Sequence, residues 1–373
     1  MARPRPSPAD GREGDDMSLV SPSLEVPASP LRPSAPAVEV GGVTKQFPLR
    51  RPWMETITHP FRVQRTTVLH EVTLRVEQGE FFGLLGPNGA GKSTLFKILA
   101  ALILPNAGTV RVSGIDCVRE PRAVRRVLAS VISDERSLYW RLSARENLRV
   151  YGVLHRLRGR ALQARLDELL ELVGLADTGN LMVGRFSSGM KQRLLIARAL
   201  LAQPRVLLLD EPTRSLDPVT AHRLRDFLRN GLAAKQGCTI LLATHYTEEA
   251  FGLCDRVGVL HRGHLLRVDA PGRLREELRD QSYELTVRCA DRAAIESFLR
   301  LPATEEGVSN ADAPTGWCTF RVQLPEGDDG AAALVSSLVG CGFDVARCEP
   351  VQLSLAELIE RIVAAHAVEA ADA

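Results

Sequence analysis

The stretch Gly86-Pro87-Asn88-Gly89-Ala90-Gly91-Lys92-Ser93-Thr94 has the spacing G-x-x-x-x-G-K-[ST] of a phosphate-binding loop. The apolar run Glu80–Leu85 precedes it and predicts a buried strand, and apolar residues at helical spacing follow it. This context suits the motif, because backbone N–H groups of the loop and the helix N-terminus converge on anionic oxygens. The stretch therefore predicts nucleotide binding, with Lys92 at the β- and γ-phosphates and the Ser93 hydroxyl on Mg²⁺.

The bulk composition sets limits on the class of protein. A chain of 373 residues with 45% hydrophobic residues allows two packed domains, and a net charge of +2 gives no argument for nucleic-acid binding. The seven scattered cysteines predict neither a zinc site nor a disulfide framework, which fits a reducing cytosol. No apolar run approaches the roughly 18–20 residues that span a bilayer, and no signal-peptide pattern opens the chain. These features predict a soluble chain whose membrane role would require a partner.

The N-terminal part of the chain divides into a tail and a first strand. Residues 1–36 are rich in Pro, Ser, Arg and Asp and predict a disordered tail that serves as a tether. Ala37–Val40 alternates as a strand, and Val43–Phe47 follows what we predict to be a Gly-Gly turn. Phe47 is a candidate for stacking on an adenine ring. The alternative is an ordinary core phenylalanine.

Residues 49–65 look like an insertion before the next strand. The segment mixes arginines with Trp53, Met54, Ile57 and Phe61. This composition is compatible with contact at a membrane surface or at a partner's cytoplasmic end. A plain solvated loop is an equally good interpretation, and the sequence leaves both open.

Two later strands end in residues suited to phosphate chemistry. Val206–Leu209 is an apolar strand that ends in Asp210 and Glu211, and Thr239–Thr244 is a strand that ends in His245. At a strand end beside the phosphate-binding loop, Asp210 can bind the Mg²⁺ shell and Glu211 can orient and deprotonate an attacking water. His245 can hydrogen-bond the γ-phosphate. Together these residues predict hydrolysis of a nucleoside triphosphate.

With Phe186–Arg193 ahead of a helix, this order of motifs resembles the nucleotide-binding domain of ATP-binding-cassette (ABC) proteins. The resemblance covers roughly residues 37–275. It implies a Walker A loop at Gly86–Thr94, a Walker B strand at Val206–Glu211 and a signature loop at Ser187–Met190. The implied D-loop is Ser215–Asp217, and the implied switch histidine is His245. It also implies that Phe47 occupies the adenine-stacking position.

The family resemblance implies the fold, the cofactors and the assembly. The expected fold class is α/β, a P-loop NTPase ABC cassette with a RecA-like core sheet, an antiparallel β subdomain and a helical subdomain. The expected cofactors are ATP and Mg²⁺. The family works as a head-to-tail dimer with ATP sandwiched between Walker A of one subunit and the signature of the other, so Ser187 and Gly189 would act in trans. A homodimer and a heterodimer with another cassette are both compatible with the sequence.

Two positions depart from the family pattern. The signature carries Ser188 where Gly is usual and Met190 where Gln is common, although Ser187 and Gly189 are kept. In the Q-loop, alignment places Asp134 where the family has a Mg²⁺-contacting Gln, which makes Asp134 a candidate metal ligand and Glu135 a second one. The surrounding segment Ser133–Trp140 resembles a subgroup of bacterial export ATPases.

Residues 276–373 lie outside the predicted cassette. Alternating and helical patterns predict a β-α-β-α-β order, which indicates a small α+β domain with a mixed or antiparallel sheet. The segment Leu353–Ile359 is similar to the tail of drug- and polysaccharide-export cassettes. Its predicted role is dimer support or regulation, with ligand binding as the alternative.

The resemblance implies the ATPase subunit of an ABC exporter, bound to a separate integral-membrane permease at the cytoplasmic face of the cell membrane. Residues 136–152, with Tyr139 and Trp140 exposed, are the predicted docking region. The alternative class is a soluble ABC ATPase that acts on nucleic acid or ribosomes, and such chains usually carry insertions that this one lacks. A non-hydrolysing regulatory module is a third possibility, and Glu211 and His245 disfavour it.

Overall fold

The computed structural model describes residues 35–48, 65–132, 137–214, 216–233, 237–277, 282–288, 317–323, 330–350, 355–360 and 362. Several sequence predictions fall outside these ranges. They concern residues 1–34 of the tail, residues 49–64 of the insertion, Asp134 and Glu135 of the Q-loop, Ser215 of the D-loop, and a helix over 293–301.

The central sheet places side by side the three strands that lead into the predicted site residues. In the described part of the chain its order is β10-β9-β3-β8-β7-β6, with strands at His264–Asp269, Arg256–His261, Phe81–Leu85, Thr239–Thr244, Val206–Asp210 and Leu128–Ile132. β3, β8 and β7 run parallel, so Leu85 pairs with Thr244 and Asp210 pairs with Ala243. Both faces of these strands are covered, which explains their continuous apolar sequences. The residues that follow each strand therefore meet at one edge of the sheet.

A second, antiparallel sheet covers the phosphate-loop helix. Its order is β2-β1-β4-β5, with strands at Arg65–Val76, Val38–Pro48, Ala107–Val112 and Ile115–Asp116. Helix α1 (Lys92–Leu99) buries Leu95, Ile98 and Leu99 in one cluster with the apolar residues of β1 and β2. The second sheet therefore fixes α1, and with it the loop that α1 closes.

The predicted Gly-Gly turn in the first strand is wrong. β1 runs without a break from Val38 to Pro48, and its register shifts between Val40 and Val43. Gly42 has φ of 59°, so the two glycines form a β-bulge that bends the strand instead of reversing it. The backbone of Gly108 in β4 packs against this bulge, and this long-range contact is not visible in a local pattern.

Four α-helices form a helical region between β5 and β7 in the described residues. They are α2 (Pro121–Val127), α3 (Ala144–Leu154), α4 (Gly159–Leu172) and α5 (Ser188–Leu200), with a 3₁₀ turn at Val183–Arg185. The sequence Ser143-Ala144-Arg145-Glu146 has the spacing of a capping box, and Ser143 and Glu146 form this box at the start of α3. Apolar residues recur at helical spacing in α4 and are buried: Leu162, Leu166, Leu169 and Leu170.

The remaining helices flank the central sheet. α6 (Pro218–Asp226) continues as a π-helix over Phe227–Ala233, α7 (Thr247–Leu253) follows β8, and α8 (Pro271–Glu277) follows β10. No helix in the described ranges is both long and apolar enough to cross a bilayer.

The C-terminal residues form a small sheet with a helix. Strands β11 (Ser282–Arg288), β12 (Trp317–Gln323) and β13 (Val345–Pro350) pair antiparallel in the order β12-β11-β13. Helix α9 (Gly330–Gly340) contributes Leu338 to the core of this sheet. The closing helix, described over residues 355–360, instead buries Leu358 and Ile359 in the main core of the cassette. This described helix therefore packs on the cassette.

One described cysteine forms a disulfide. Cys318 in β12 is disulfide-bonded. The five other described cysteines are free thiols. A single bond is not a disulfide framework, so the prediction that the chain has no such framework is not contradicted.

Candidate functional site

The phosphate-binding loop connects β3 to α1, as the sequence predicts. Gly86 lies so close to β9 that a Cβ atom there would be 2.2 Å from the Leu260 carbonyl oxygen. Gly91, in a left-handed conformation with φ of 108°, is the N-cap of α1. A side chain at Gly86 would displace the backbone of β9, so the spacing of the motif reflects packing as well as ligand access.

Lys92 occupies the floor of this loop. Its Nζ donates hydrogen bonds to the carbonyl oxygens of Gly86 at 2.7 Å and Pro87 at 3.0 Å. Burial lowers the pKa of Lys92, while the negative charges of Glu211 and Asp210 act in the opposite direction. The ammonium group is therefore fixed between the loop and the two carboxylates.

Asp210 and Ser93 present two oxygen ligands side by side. Asp210 ends β7, and burial raises the pKa of its carboxyl group, an effect that the hydrogen bond with the Ser93 side chain partly offsets. A carboxylate and a hydroxyl are the hard oxygen donors that Mg²⁺ prefers. A divalent cation would also relieve the unfavourable burial of the Asp210 charge, so these residues fit the predicted metal site.

Glu211 and His245 contact each other at the strand edge. Glu211 Oε1 lies 3.0 Å from His245 Nδ1, and Glu211 Oε2 accepts a hydrogen bond from Arg214 Nη1 at 3.2 Å. The Glu211 backbone has φ of 49° and donates to the Ala243 carbonyl at 2.9 Å. A left-handed glutamate is unusual and costs conformational energy. This conformation leaves the Glu211 side chain only 12% exposed beside the histidine.

A single cavity of about 460 Å³ joins Lys92 and Ser93 to the two carboxylates, and His245 is not among its described wall residues. Its walls combine the phosphate-binding loop with the carboxylate strand end and are formed by Val68, Asn88, Gly89, Gly91, Lys92, Ser93, Thr94, Asp210, Glu211 and Arg214. Sequence reasoning missed Arg214, because only the left-handed turn at Glu211 brings its guanidinium group back to the cavity.

Phe47 lies on β1 with Lys45 Nζ 4.9 Å from its ring centroid, and it is not among the wall residues of the cavity. Its adenine-stacking role stays a prediction.

The signature residues begin α5, away from this cavity. Ser187 is the N-cap, and its Oγ accepts a hydrogen bond from the Met190 backbone N–H at 3.3 Å. At Gly189 a Cβ atom would lie 2.2 Å from Thr220 Cγ2 of α6, so the glycine permits close packing of two helices. Neither residue is among the described residues that line the cavity. Their contact with nucleotide in trans stays a prediction.

An exposed loop with two aromatic residues follows the Q-loop, and hydrogen bonds with the buried Asn147 side chain hold it in place. Tyr139 is 49% and Trp140 62% exposed, whereas Asn147 is buried. The Asn147 side chain accepts from the Tyr139 N–H at 2.8 Å and donates to the carbonyl oxygens of Tyr139 at 3.0 Å and Ser143 at 2.9 Å. Sequence reasoning missed this role of Asn147, because its partners are defined by the loop conformation.

Replacing Asn147 with Ala is expected to lower the free energy of unfolding by about 2–3 kcal/mol, because it leaves backbone groups of the loop without hydrogen bonds. Denaturant unfolding measures this change. Asn106→Ala is the matched control, since Asn106 accepts from the Gln46 N–H at 2.8 Å but is exposed. A loss below about 1 kcal/mol for Asn147→Ala would show that the loop does not depend on this side chain.

Comparison with known proteins identifies the class and then the family. The fold and the cavity define a P-loop ATPase. Residues 69–214 match the ABC transporter family model. The chain is 41% identical over 236 residues to the daunorubicin resistance ATP-binding protein DrrA3 of Streptomyces coeruleorubidus, covering 63% of this chain and 73% of the relative. The chain belongs to the ABC transporter ATP-binding protein family.

Two further relatives agree with this family. The Nod factor export ATP-binding protein I of Rhizobium johnstonii is 42% identical over 212 residues, covering 56% of this chain and 67% of the relative. A solved dimeric ATP-binding cassette in a post-hydrolysis state with ADP and phosphate is 27% identical with a TM-score of 0.54. That alignment covers 63% of this chain and 98% of the solved chain. The predicted fold class and the predicted ATPase activity are thereby confirmed.

Proposed function

We propose that this ATPase is the energising subunit of an ABC exporter and acts on a separate integral-membrane permease at the cytoplasmic face of the cell membrane. The observation that carries this proposal is the combination of a cavity that joins the phosphate-binding loop to Asp210 and Glu211 with an exposed aromatic loop held by Asn147. The names of the relatives, which refer to drug resistance and to Nod factor export, support export as the direction.

The side chains in the cavity have separate tasks in the proposed reaction. Lys92 binds the β- and γ-phosphates from the floor of the loop, where its ammonium group is already fixed. Glu211 accepts a proton from the attacking water, and His245, 3.0 Å from Glu211 Oε1, hydrogen-bonds the γ-phosphate. Ser93 and Asp210 would hold Mg²⁺, which neutralises the charge of the phosphate oxygens when bound.

The signature residues complete the site from a second subunit in this proposal. Ser187 and Gly189 would contact the γ-phosphate bound to the partner's phosphate-binding loop. Their absence from the described wall of the cavity and the dimeric state of the solved relative support this arrangement. ATP binding would close the dimer, and hydrolysis with product release would reopen it.

The exposed loop of Tyr139 and Trp140 is the proposed permease-docking site. Large exposed aromatic residues are enriched at protein interfaces, and the Asn147 hydrogen bonds hold this loop in one conformation. The loop also connects to α3 and α5, because Arg198 Nη1 and Tyr151 Oη both donate to the Ser137 carbonyl. Movement in the helical region could therefore reach the docking site.

Capture of the permease tests the proposed function. The Glu211→Gln protein with ATP is used as bait in detergent-solubilised membranes of the native host, and its partners are identified by mass spectrometry. We expect a multi-span membrane protein, whose identity would narrow the transported substrate. Recovery of ribosomal or DNA-repair proteins without a permease would instead assign the chain to the soluble ABC ATPases.

Replacing Tyr139 and Trp140 together with Ala is expected to reduce permease capture at least tenfold, because interface aromatics supply much of the binding energy. ATPase activity of the isolated chain should stay within about twofold, since neither residue lines the cavity. Val339→Ser is the control, because Val339 is also exposed but lies on α9, the helix that packs on the C-terminal sheet. Undiminished capture by the double variant would exclude this loop as the docking site.

A further inference from the structure

A buried carboxyl group lies behind the Glu211–His245 pair. Glu249, the third residue of α7, is only 1% exposed. Its Oε1 accepts a hydrogen bond from the Thr213 hydroxyl at 2.8 Å, while its Oε2 has no hydrogen-bond partner among the described residues. Burial raises the pKa of the Glu249 carboxyl, and the hydroxyl groups of Thr244 and Thr213 partly oppose this effect.

The two threonines belong to the two segments that carry the catalytic pair. Thr213 lies two residues after Glu211, and Thr244 is the last residue of β8, directly before His245. The Thr244 hydroxyl also accepts from the Tyr246 N–H at 3.1 Å, on the far side of the histidine. Glu249 lies in the helix that follows His245, so its hydrogen bond with Thr213 links that helix to the segment that carries Glu211.

A third segment contributes charge to the same place. Arg225 of α6 lowers the pKa of Glu249, and the buried Arg225 Nε has no hydrogen-bond partner in the ranges that the structure describes. Helix α6 begins at the D-loop, where Asp217 is its N-cap. Helix α6, which follows the D-loop, thus supplies a positive charge that acts on this carboxyl group.

Packing alone does not account for an acidic residue here. A buried carboxyl group costs folding free energy, and an apolar residue of similar size would avoid that cost. A short hydrogen bond to Thr213, in contrast, requires an acceptor at this position. The presence of the acid is explained if the relative placement of the two catalytic segments matters for the reaction, which is sensitive to displacements of about 1 Å.

We propose that Glu249 is a positioning residue for ATP hydrolysis, whose hydrogen bond with Thr213 ties the segment after Glu211 to the helix after His245 and thereby sets the separation of Glu211 from His245. This inference rests on the proposed roles of Glu211 and His245. In this proposal Glu249 itself does not contact the nucleotide.

Steady-state ATPase kinetics on the full chain test the proposal. Glu249→Leu is expected to lower kcat by about 10- to 100-fold with KM for ATP within about twofold, because nucleotide binding does not involve Glu249. Glu249→Gln should restore most of kcat, since its amide oxygen can accept from Thr213. Thr213→Val should resemble Glu249→Leu, Thr213→Ser should retain activity, and the combined Leu and Val variant should be no worse than either alone.

Glu248→Leu is the matched control, because Glu248 is the preceding residue of the same helix and is exposed. Wild-type kcat in Glu249→Leu, a parallel rise in KM, or additive effects of the two substitutions would each overturn the proposal. If Glu249→Leu does not fold, the comparison of Thr213→Val with Thr213→Ser decides. The Glu211→Gln variant, measured in the same assay, separates the role of Glu249 from the proposed role of Glu211. Wild-type turnover by Glu211→Gln would refute the role of Glu211 itself.

Discussion

Replacing Glu211 with Gln is expected to lower kcat for ATP hydrolysis by about 100- to 10,000-fold, the range that a positioned general base contributes. The glutamine keeps the shape and can still hydrogen-bond His245 and Arg214, but it cannot accept a proton from water. ATP should therefore remain bound, and the protein should accumulate as an ATP-bound dimer. Phosphate release measures the rate, and size-exclusion chromatography with and without ATP measures the dimer.

The Glu248→Gln protein is the control for this experiment, since it changes an exposed carboxylate near the site by the same chemistry. It should hydrolyse ATP within about twofold of wild type. Wild-type turnover by Glu211→Gln would refute the assignment of Glu211 as the base. Loss of activity together with loss of ATP binding would also contradict it, because the predicted defect lies in the chemical step.

Replacing Lys92 with Ala is expected to weaken ATP binding by more than 100-fold, which corresponds to about 3 kcal/mol of lost charge-assisted hydrogen bonding. The variant removes a positive charge at the phosphate-binding loop, together with its attraction to the carboxylates of Asp210 and Glu211. It also leaves the Gly86 and Pro87 carbonyl oxygens without their present donor. Equilibrium titration with a fluorescent ATP analogue at fixed Mg²⁺ measures the dissociation constant.

Lys97→Ala is the matched control for Lys92→Ala. Lys97 lies in the last turn of the same helix, is exposed, and is not a wall residue of the nucleotide cavity. Its substitution should change the dissociation constant by less than about threefold. Equal effects of the two substitutions would mean that Lys92 acts only through general electrostatic attraction.

Local sequence patterns predicted much of the fold. The strand, loop and helix around Gly86–Thr94, the capping box of Ser143 and Glu146, and the buried leucines of α4 all follow from residue type and spacing. These features depend on interactions within a few residues, which a sequence pattern represents directly. The Gly-Gly turn failed for the complementary reason, because the bulge at Gly42 depends on the approach of Gly108, 66 positions away in the chain.

The candidate site divides in the same way. Local sequence patterns predict which groups carry the chemistry: Lys92, Ser93, Asp210, Glu211 and His245 stand at strand ends or in a loop whose spacing indicates phosphate binding. How these groups are held depends on the tertiary structure. Parallel pairing of β3, β8 and β7 brings their ends to one edge, and the left-handed backbone at Glu211 directs its carboxylate to His245.

The residues that sequence reasoning missed share one physical property. Asn147 and Glu249 act through buried hydrogen bonds, and Arg214 acts through an ion pair, with partners that depend on loop conformation and on strand order. Such contacts have no local sequence pattern, because carboxyl and amide side chains also occur on the exposed surface of helices. The sequence alone does not distinguish the two positions. Burial makes the contacts of Asn147 and Glu249 necessary, and burial is a property of the folded chain. The sequence therefore predicts the chemistry of this protein, whereas the alignment of the predicted catalytic groups depends on the tertiary structure.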